Sequence, residues 1–489
     1  MEVNIYTGDF VRYRTTQFWG FSLLFLLLVT ALLAGCARMQ NPNIERGTMY
    51  QFREGHPEVR VSALGMFDQD GDPGLNITAD IVYGSLIFKG KEGVFQSSIS
   101  LDIKIVKKKE EDDVVATRQY SFDIQDSSES IVNSQDVFTF EKRIEIEPGD
   151  YKIYVAVTDK NSDKQTIRVV EASMPTPGED QPHLTNIQML GRNLENKGKE
   201  FIPITTYDVA GKIDSLTFRF QVSHQNPDTE IEIETRLLQF KADTTPARSI
   251  HFNNYTPSSI QYKGIDMDER TQLQKNTRIL TETGNILIEY KYSLPDRGNY
   301  RFEARIKDQE EKIYKARDFS VKSKNYPAVE STRELARPLF YLMKKDKYEK
   351  MMSFSSTDSI KKIMDQFWLK NIGSKSKARQ VIAKYYERVE EANKQFSNFK
   401  EGWKTDPGYM YILFGPPWYV EQSLDMMQWS YSYNRQDPDY NFVFFQPKMR
   451  TEFYPFEHHL LKRHNYYYNI EYQQRQLWLT GQILTRSLQ

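Results

Sequence analysis

At 489 residues the chain is too long for one hydrophobic core, and length alone suggests about three domains. Its 39% hydrophobic and 27% charged residues are the balance of a folded chain, not of a disordered or multi-spanning one. The 65 basic and 66 acidic residues leave a net charge of −1, and no long basic run offers a surface for neutralising nucleic-acid phosphates.

The chain opens with Arg12 and Arg14 ahead of an uncharged apolar run, Phe18 to Gly35, which stops at the only cysteine, Cys36. The run is short for a membrane span and fits the core of an export signal. Small residues Ala34 and Gly35 directly before the thiol resemble a bacterial lipoprotein signal, in which the peptide is cut before an acylated cysteine. Residues 1–35 are therefore expected to be a signal peptide, Cys36 the lipidation site and 36–49 a polar tether. No acidic residue closely follows Cys36, which points to an outer membrane and its periplasmic face. With one cysteine, neither an intrachain disulfide nor a thiolate metal cluster can form.

From 50 to 172 the pattern has period two: Ile99, Leu101, Ile103 and Ile105 share one face, as do Tyr151, Ile153, Val155 and Val157. Turn clusters such as "DQDGDPG" separate the runs, so the expectation is an antiparallel β-sandwich. The run Lys107 to Asp113 cancels its own charge and reads as a hairpin tip. "ASMPTPGEDQP" is a Pro-rich linker, and the period-two pattern restarts over 183–323 with Leu216, Phe218, Phe220 and Val222. "PGDYKIYVAVTDK" and "RGNYRFEARIKDQ" align Gly149 with Gly298, Tyr151 with Tyr300, and Asp159 with Asp308. That repeat makes the two halves related immunoglobulin-like sandwiches.

Beyond Ser331 the period becomes helical. Ile360, Ile363, Met364, Phe367 and Trp368 mark one helix, capped by Thr357 or Asp358, and Lys375 to Phe396 a second. The segment 323–331 between sandwich and helices reads as an exposed linker open to proteolysis. "EGWKTDPGYMYILFGPP" follows, from Glu401 to Pro417. Gly402 allows a sharp turn that buries Trp403; Thr405 and Asp406 bond backbone beside Pro407; Gly408 takes a positive φ. Tyr409 to Phe414 then reads as a strand ended by Gly415 and Pro416. The aromatic runs "QWSYSY" and "NFVFF" add further strands, giving an α+β domain over 331–470 with 471–489 as a tail.

"GWKTD" followed by "GYMYILFGPP", with "QFWLKN" and "YYERVEEANKQF" upstream, resembles the GWxTD domain family of bacterial envelope proteins. The likeness spans roughly 340–460. It implies an exported protein or lipoprotein with β-domains ahead of the motif, and implies no particular activity. Some members place an acidic residue after the "GPP", where this chain has Trp418.

No cofactor is expected. "EHHLLKRH" lacks a helical histidine pair, because His458, His459 and His464 are wrongly spaced for one zinc face. "DQDGDPG" begins like a calcium loop but has Pro73 and Ala79 where that loop needs Gly and Glu. The leading expectation is a structural or binding lipoprotein that offers its C-terminal domain to an envelope protein or glycan. The alternative is an envelope hydrolase using Asp406 with a second acid such as Glu421, or with His458, an arrangement that requires an open cleft.

Overall fold

The computed structural model describes residues 43–47, 53, 55–176, 181–193, 201–209, 213–228, 230–252, 264–307, 313–423, 426–432, 440–446 and 456–485. All belong to one compact unit, 42–448 with 456–489; the other, 1–41 with 449–455, lies outside the described residues. The expected signal peptide and the expected lipidation site Cys36 therefore lie outside the described residues too.

The first sandwich comprises β1 (Val59–Phe67), β2 (Pro73–Val82), β3 (Val94–Lys107), β4 (Glu110–Asp126), β5 (Val137–Glu145), β6 (Gly149–Asp159) and β7 (Lys164–Met174). One sheet runs β1-β2-β5 and the other β4-β3-β6-β7, all antiparallel. The alternating residues Ile99 to Ile105 and Tyr151 to Val157 point between the sheets and are fully buried. Burial of such faces supplies the main driving force for the fold, about 25 cal/mol per Å² of apolar surface.

The second sandwich repeats this plan with β8 (Gln188–Asn193), β9 (Ile213–His224), β10 (Ile231–Ala242), β11 (Ile265–Leu280), β12 (Gly284–Ser293), β13 (Gly298–Ile306) and β14 (Tyr314–Val321). Its sheets run β8-β9-β12 and β11-β10-β13-β14. The internal repeat has a physical cause. Tyr151 Oη donates to the Glu147 carbonyl at 2.7 Å, and Tyr300 Oη donates to the Asp296 carbonyl at 2.7 Å. Each bond is the tyrosine corner that ties the entry of an inner strand to the preceding turn. Asp159 is buried and accepts from the Ile87 and Asn161 amides; Asp308 lies outside the described residues.

Two expected spacers are docked. Within 36–49, Ile44–Glu45 pair in parallel with β14, opposite Ala316 and Arg317. In 323–331, Tyr326 and Val329 are buried, and Tyr326 Oη bonds Asp208 Oδ2 at 3.2 Å and the Asn393 carbonyl at 3.1 Å. Burial of Tyr326 and Val329 removes the exposed backbone expected of a linker, so early proteolysis there is not expected.

The C-terminal region begins with α1 (Thr332–Ala336) and continues through α2 (Lys345–Met352), α3 (Thr357–Ile372), α4 (Lys375–Phe396) and α5 (Asp406–Phe414). The cap of α3 is Ser356, one residue before Thr357. A sheet of β15 (Tyr419–Gln422), β16 (Met426–Ser430), β17 (Asn441–Phe445) and β18 (Leu460–Leu461) follows, then α6 (Tyr467–Thr480). Two expectations need correcting. Tyr409 to Phe414 is helix, not strand, and 471–489 is not a tail over its first half, because α6 carries the fully buried Trp478 into the core.

Candidate functional site

The motif sits at the centre of the C-terminal core. Gly402–Lys404 form one turn of 3₁₀ helix, and Thr405 then caps α5: its Oγ1 accepts from the Gly408 amide at 3.1 Å. Thr at the cap, Asp406 in the first turn and Pro407 beside it are the physical ingredients of a helix start. Every residue of α5 is buried. A helix buried all round carries no amphipathic period, which is why its apolar run imitates a strand.

Both motif glycines are required by close approach. A Cβ on Gly402 would lie 1.9 Å from the Ala392 carbonyl oxygen of α4, and one on Gly408 would lie 1.9 Å from the Gly402 oxygen. Gly408 has no positive φ, contrary to the turn reading. Gly402→Ala forces the motif away from α4 and is expected to destabilise by about 2–3 kcal/mol, measurable as a lowered urea midpoint of the full chain. Gly415 differs: it ends α5 at φ +87°, with its carbonyl accepting from Tyr431 Oη at 2.8 Å. Pro416 follows it exposed.

Trp403 is buried, and the ring it meets is Tyr341, with centroids 5.9 Å apart in an edge-on pair. Its Nε1 donates to Glu401 Oε2 at 3.1 Å, its amide to Asn393 Oδ1 at 3.2 Å, and its carbonyl accepts from Tyr341 Oη at 2.7 Å. The sequence expectation of a buried indole holds here.

Asp406 does not cap the turn. Its carboxylate takes both terminal nitrogens of Arg463 at 2.7 Å each, and Oδ2 also accepts from the Leu461 amide at 2.7 Å. Burial alone would raise its pKa; the Arg463 charge and hydrogen bonds, with the Leu461 amide, outweigh that and hold it below the ordinary carboxylate value. Arg463 in turn donates to the carbonyls of Arg248 and Ser249, on the loop after β10. That loop enters the C-terminal core with Ala247 and Ile250. Buried Glu471 secures it further, accepting from the Ile250 amide at 3.1 Å, from Tyr409 Oη at 2.5 Å and facing His251 Nδ1 at 2.6 Å.

Of the other candidates, His458 is buried, receives Asn398 Nδ2 at its Nδ1 at 2.9 Å, and is pushed down to about 3 by burial and then by Lys400. Such an imidazole stays neutral. Glu421 stands exposed on β15, apart from the buried Asp406. No group of His, Cys, Asp and Glu suited to a metal occurs among the described residues. The arrangement as a whole is a saturated ionic hub that fastens α5, β18, α6 and the second sandwich together. Sequence reasoning missed Arg463 and Glu471, partners remote in the chain that no local spacing marks.

Residues 300–480 match the model of the GWxTD domain, a span that takes in β13 and β14 of the second sandwich as well as the helical region. No curated protein matches the chain. Among solved structures, a Salmonella alpha-2-macroglobulin aligns at 10% identity and TM-score 0.20 over 55% of this chain and 17% of its own. A red sea bream transglutaminase aligns at 10% identity and TM-score 0.18 over 56% and 32%. A trypsin-activated alpha-2-macroglobulin from Escherichia coli aligns at 8% identity and TM-score 0.17 over 56% and 17%. The chain thus spans at most 32% of the length of these proteins.

Proposed function

We propose that this chain, which carries a GWxTD domain over residues 300–480, is a cell-envelope lipoprotein with a structural or binding role. Acylated Cys36 anchors it to an outer membrane, facing the periplasm, and two sandwiches hold the GWxTD domain for an envelope protein or glycan. The observation that carries the non-catalytic reading is the setting of Asp406: buried, and bonded through both oxygens to Arg463 and through Oδ2 to the Leu461 amide. A carboxylate so occupied is a structural counter-ion rather than a proton-transfer group. Recognition then falls to the surface, where Tyr466, Tyr468 and Tyr472 stand exposed; tyrosine gives a large contact area at low entropic cost.

Lipidation is tested directly. Two or more acyl chains give lasting attachment, at about 0.8 kcal/mol per buried CH₂. Wild-type protein grown with a clickable fatty acid should take up label, and Cys36→Ser should take up none. Equal labelling of the two would remove the anchor from this reading.

A further inference from the structure

The place where the N-terminal segment docks has a consequence for how an anchored molecule stands on its bilayer. Ile44 and Glu45 lie beside Ala316 and Arg317 of β14 in parallel. The pairing is fastened at several points. The Ala316 amide donates to the Asn43 carbonyl at 2.8 Å, Arg46 Nε donates to Asp318 Oδ2 at 3.2 Å, and Glu45 Oε1 pairs with Arg317 Nη1 at 3.5 Å. Gly47 is needed there: its φ is +66°, and a Cβ would come within 2.6 Å of the Thr205 carbonyl oxygen.

β14 has a defined direction. Its start, near Tyr314, lies at the end of the sandwich with the turn 281–283, because Arg305 pairs with Tyr314 and Ile231 with Leu280. Its finish, at Val321 opposite Gly298, lies where the GWxTD helices attach. There Lys322 Nζ donates to the Asn398 carbonyl at 2.7 Å and Asn299 Nδ2 to the Phe399 carbonyl at 2.9 Å. Parallel pairing means that the chain direction from Glu45 back to Asn43 runs along β14 towards its Tyr314 end.

We infer that the second sandwich faces the bilayer with the end carrying the 281–283 turn, and that the helical part of the GWxTD domain is held on the side away from the membrane. The inference rests on membrane attachment at or just before Cys36. The eight residue steps from Ile44 back to Cys36 span at most about 29 Å. A reversal to the Val321 end would use about 17 Å of that on the five residues from Ala316. The remainder, about 12 Å, is far short of the roughly 40 Å width of a domain of that size. The tether therefore cannot reach round the helical region to lay its far face on the bilayer. Whether acyl chains or an uncleaved apolar run hold the membrane, the length limit is the same.

The test uses the full lipidated chain in vesicles. Acylation occupies the only native thiol, so an engineered cysteine becomes the single labelling site. Thr283→Cys and Lys362→Cys, both exposed, each carry a donor dye, and an acceptor dye sits on lipid headgroups. Energy transfer should be severalfold stronger from position 283 than from position 362. A flexible insert of twenty or so residues after Gln40 should weaken transfer from both positions. Flotation with vesicles is scored on the same samples. Failure to float, with no fatty-acid label, overturns the anchored reading and this inference with it. Flotation with equal transfer, or stronger transfer from position 362, overturns the orientation alone.

Discussion

Asp406→Asn is expected to destabilise the protein by about 3–5 kcal/mol, because it strands the buried charge of Arg463 without its counter-ion. Simple loss of a turn cap would cost only about 0.5–2 kcal/mol, so the size of the effect distinguishes the two roles. Replacing both partners, Asp406→Leu with Arg463→Met, should recover part of the loss. Recovery stays incomplete because Arg463 also serves the Arg248 and Ser249 carbonyls, and an unsatisfied buried acceptor costs about 1–3 kcal/mol. The carboxylate also sets a pH dependence. Its folded pKa lies below the ordinary 3.8, so its stabilisation is complete above the unfolded value and fades as the pH falls through the folded one. His458 acts earlier on the same side: held down to about 3, it begins to favour the protonated unfolded chain once the pH drops below about 6.5. Urea titrations at pH 7 and pH 5 would show a smaller midpoint at pH 5 in wild type. A stable Asp406→Asn protein that had lost its cellular role would instead make Asp406 functional, and the hub reading would fail.

How much of this was legible beforehand follows from where the information lies in the chain. The sandwiches were readable because each is half buried strand by strand: Leu216, Phe218, Phe220 and Val222 are all buried, and alternation is the direct record of such a face. The tyrosine corners were visible as a repeat, since a turn glycine and an inward tyrosine recur at fixed spacing. α4 was readable over its full length, Lys375 to Phe396, because one face is wet. α5 was not, since burial on every side erases the period, and the Thr-Asp-Pro start signal was outweighed by the aromatic run after it. The hub was legible only as far as the motif itself. Trp403 could be placed inside, but the partner of Asp406 lies 57 residues on, and the loop it fastens belongs to a preceding sandwich. Local spacing has no means of reporting contacts of that range.

Trp403→Ala should likewise cost about 3–5 kcal/mol through the cavity left beside Tyr341, together with the lost bond to Glu401. Trp403→Phe retains most of the packing, and should cost about 1–2 kcal/mol for the missing Nε1 donor. The chain offers a convenient probe. Five of its six tryptophans (Trp368, Trp403, Trp418, Trp429 and Trp478) lie in the C-terminal region and none in either sandwich, so indole fluorescence follows that region, while the sheet component of the far-ultraviolet circular dichroism follows the sandwiches. With a urea slope of about 1–3 kcal/mol per M, Trp403→Ala should lower the fluorescence midpoint by roughly 1–5 M. The second sandwich should not be spared. Its Ala247 and Ile250 are part of the same core as Trp403, Lys322 Nζ donates to the Asn398 carbonyl at 2.7 Å, and Asn299 is bonded to Phe399. Its sheet signal should therefore shift with the fluorescence, while the portion from the first sandwich stays behind as a later transition. A fluorescence midpoint that falls together with the helical part of the circular dichroism, while the whole of the sheet part stays in place, would show that the helical region unfolds by itself, and that the loop after β10 contributes nothing to holding the two together.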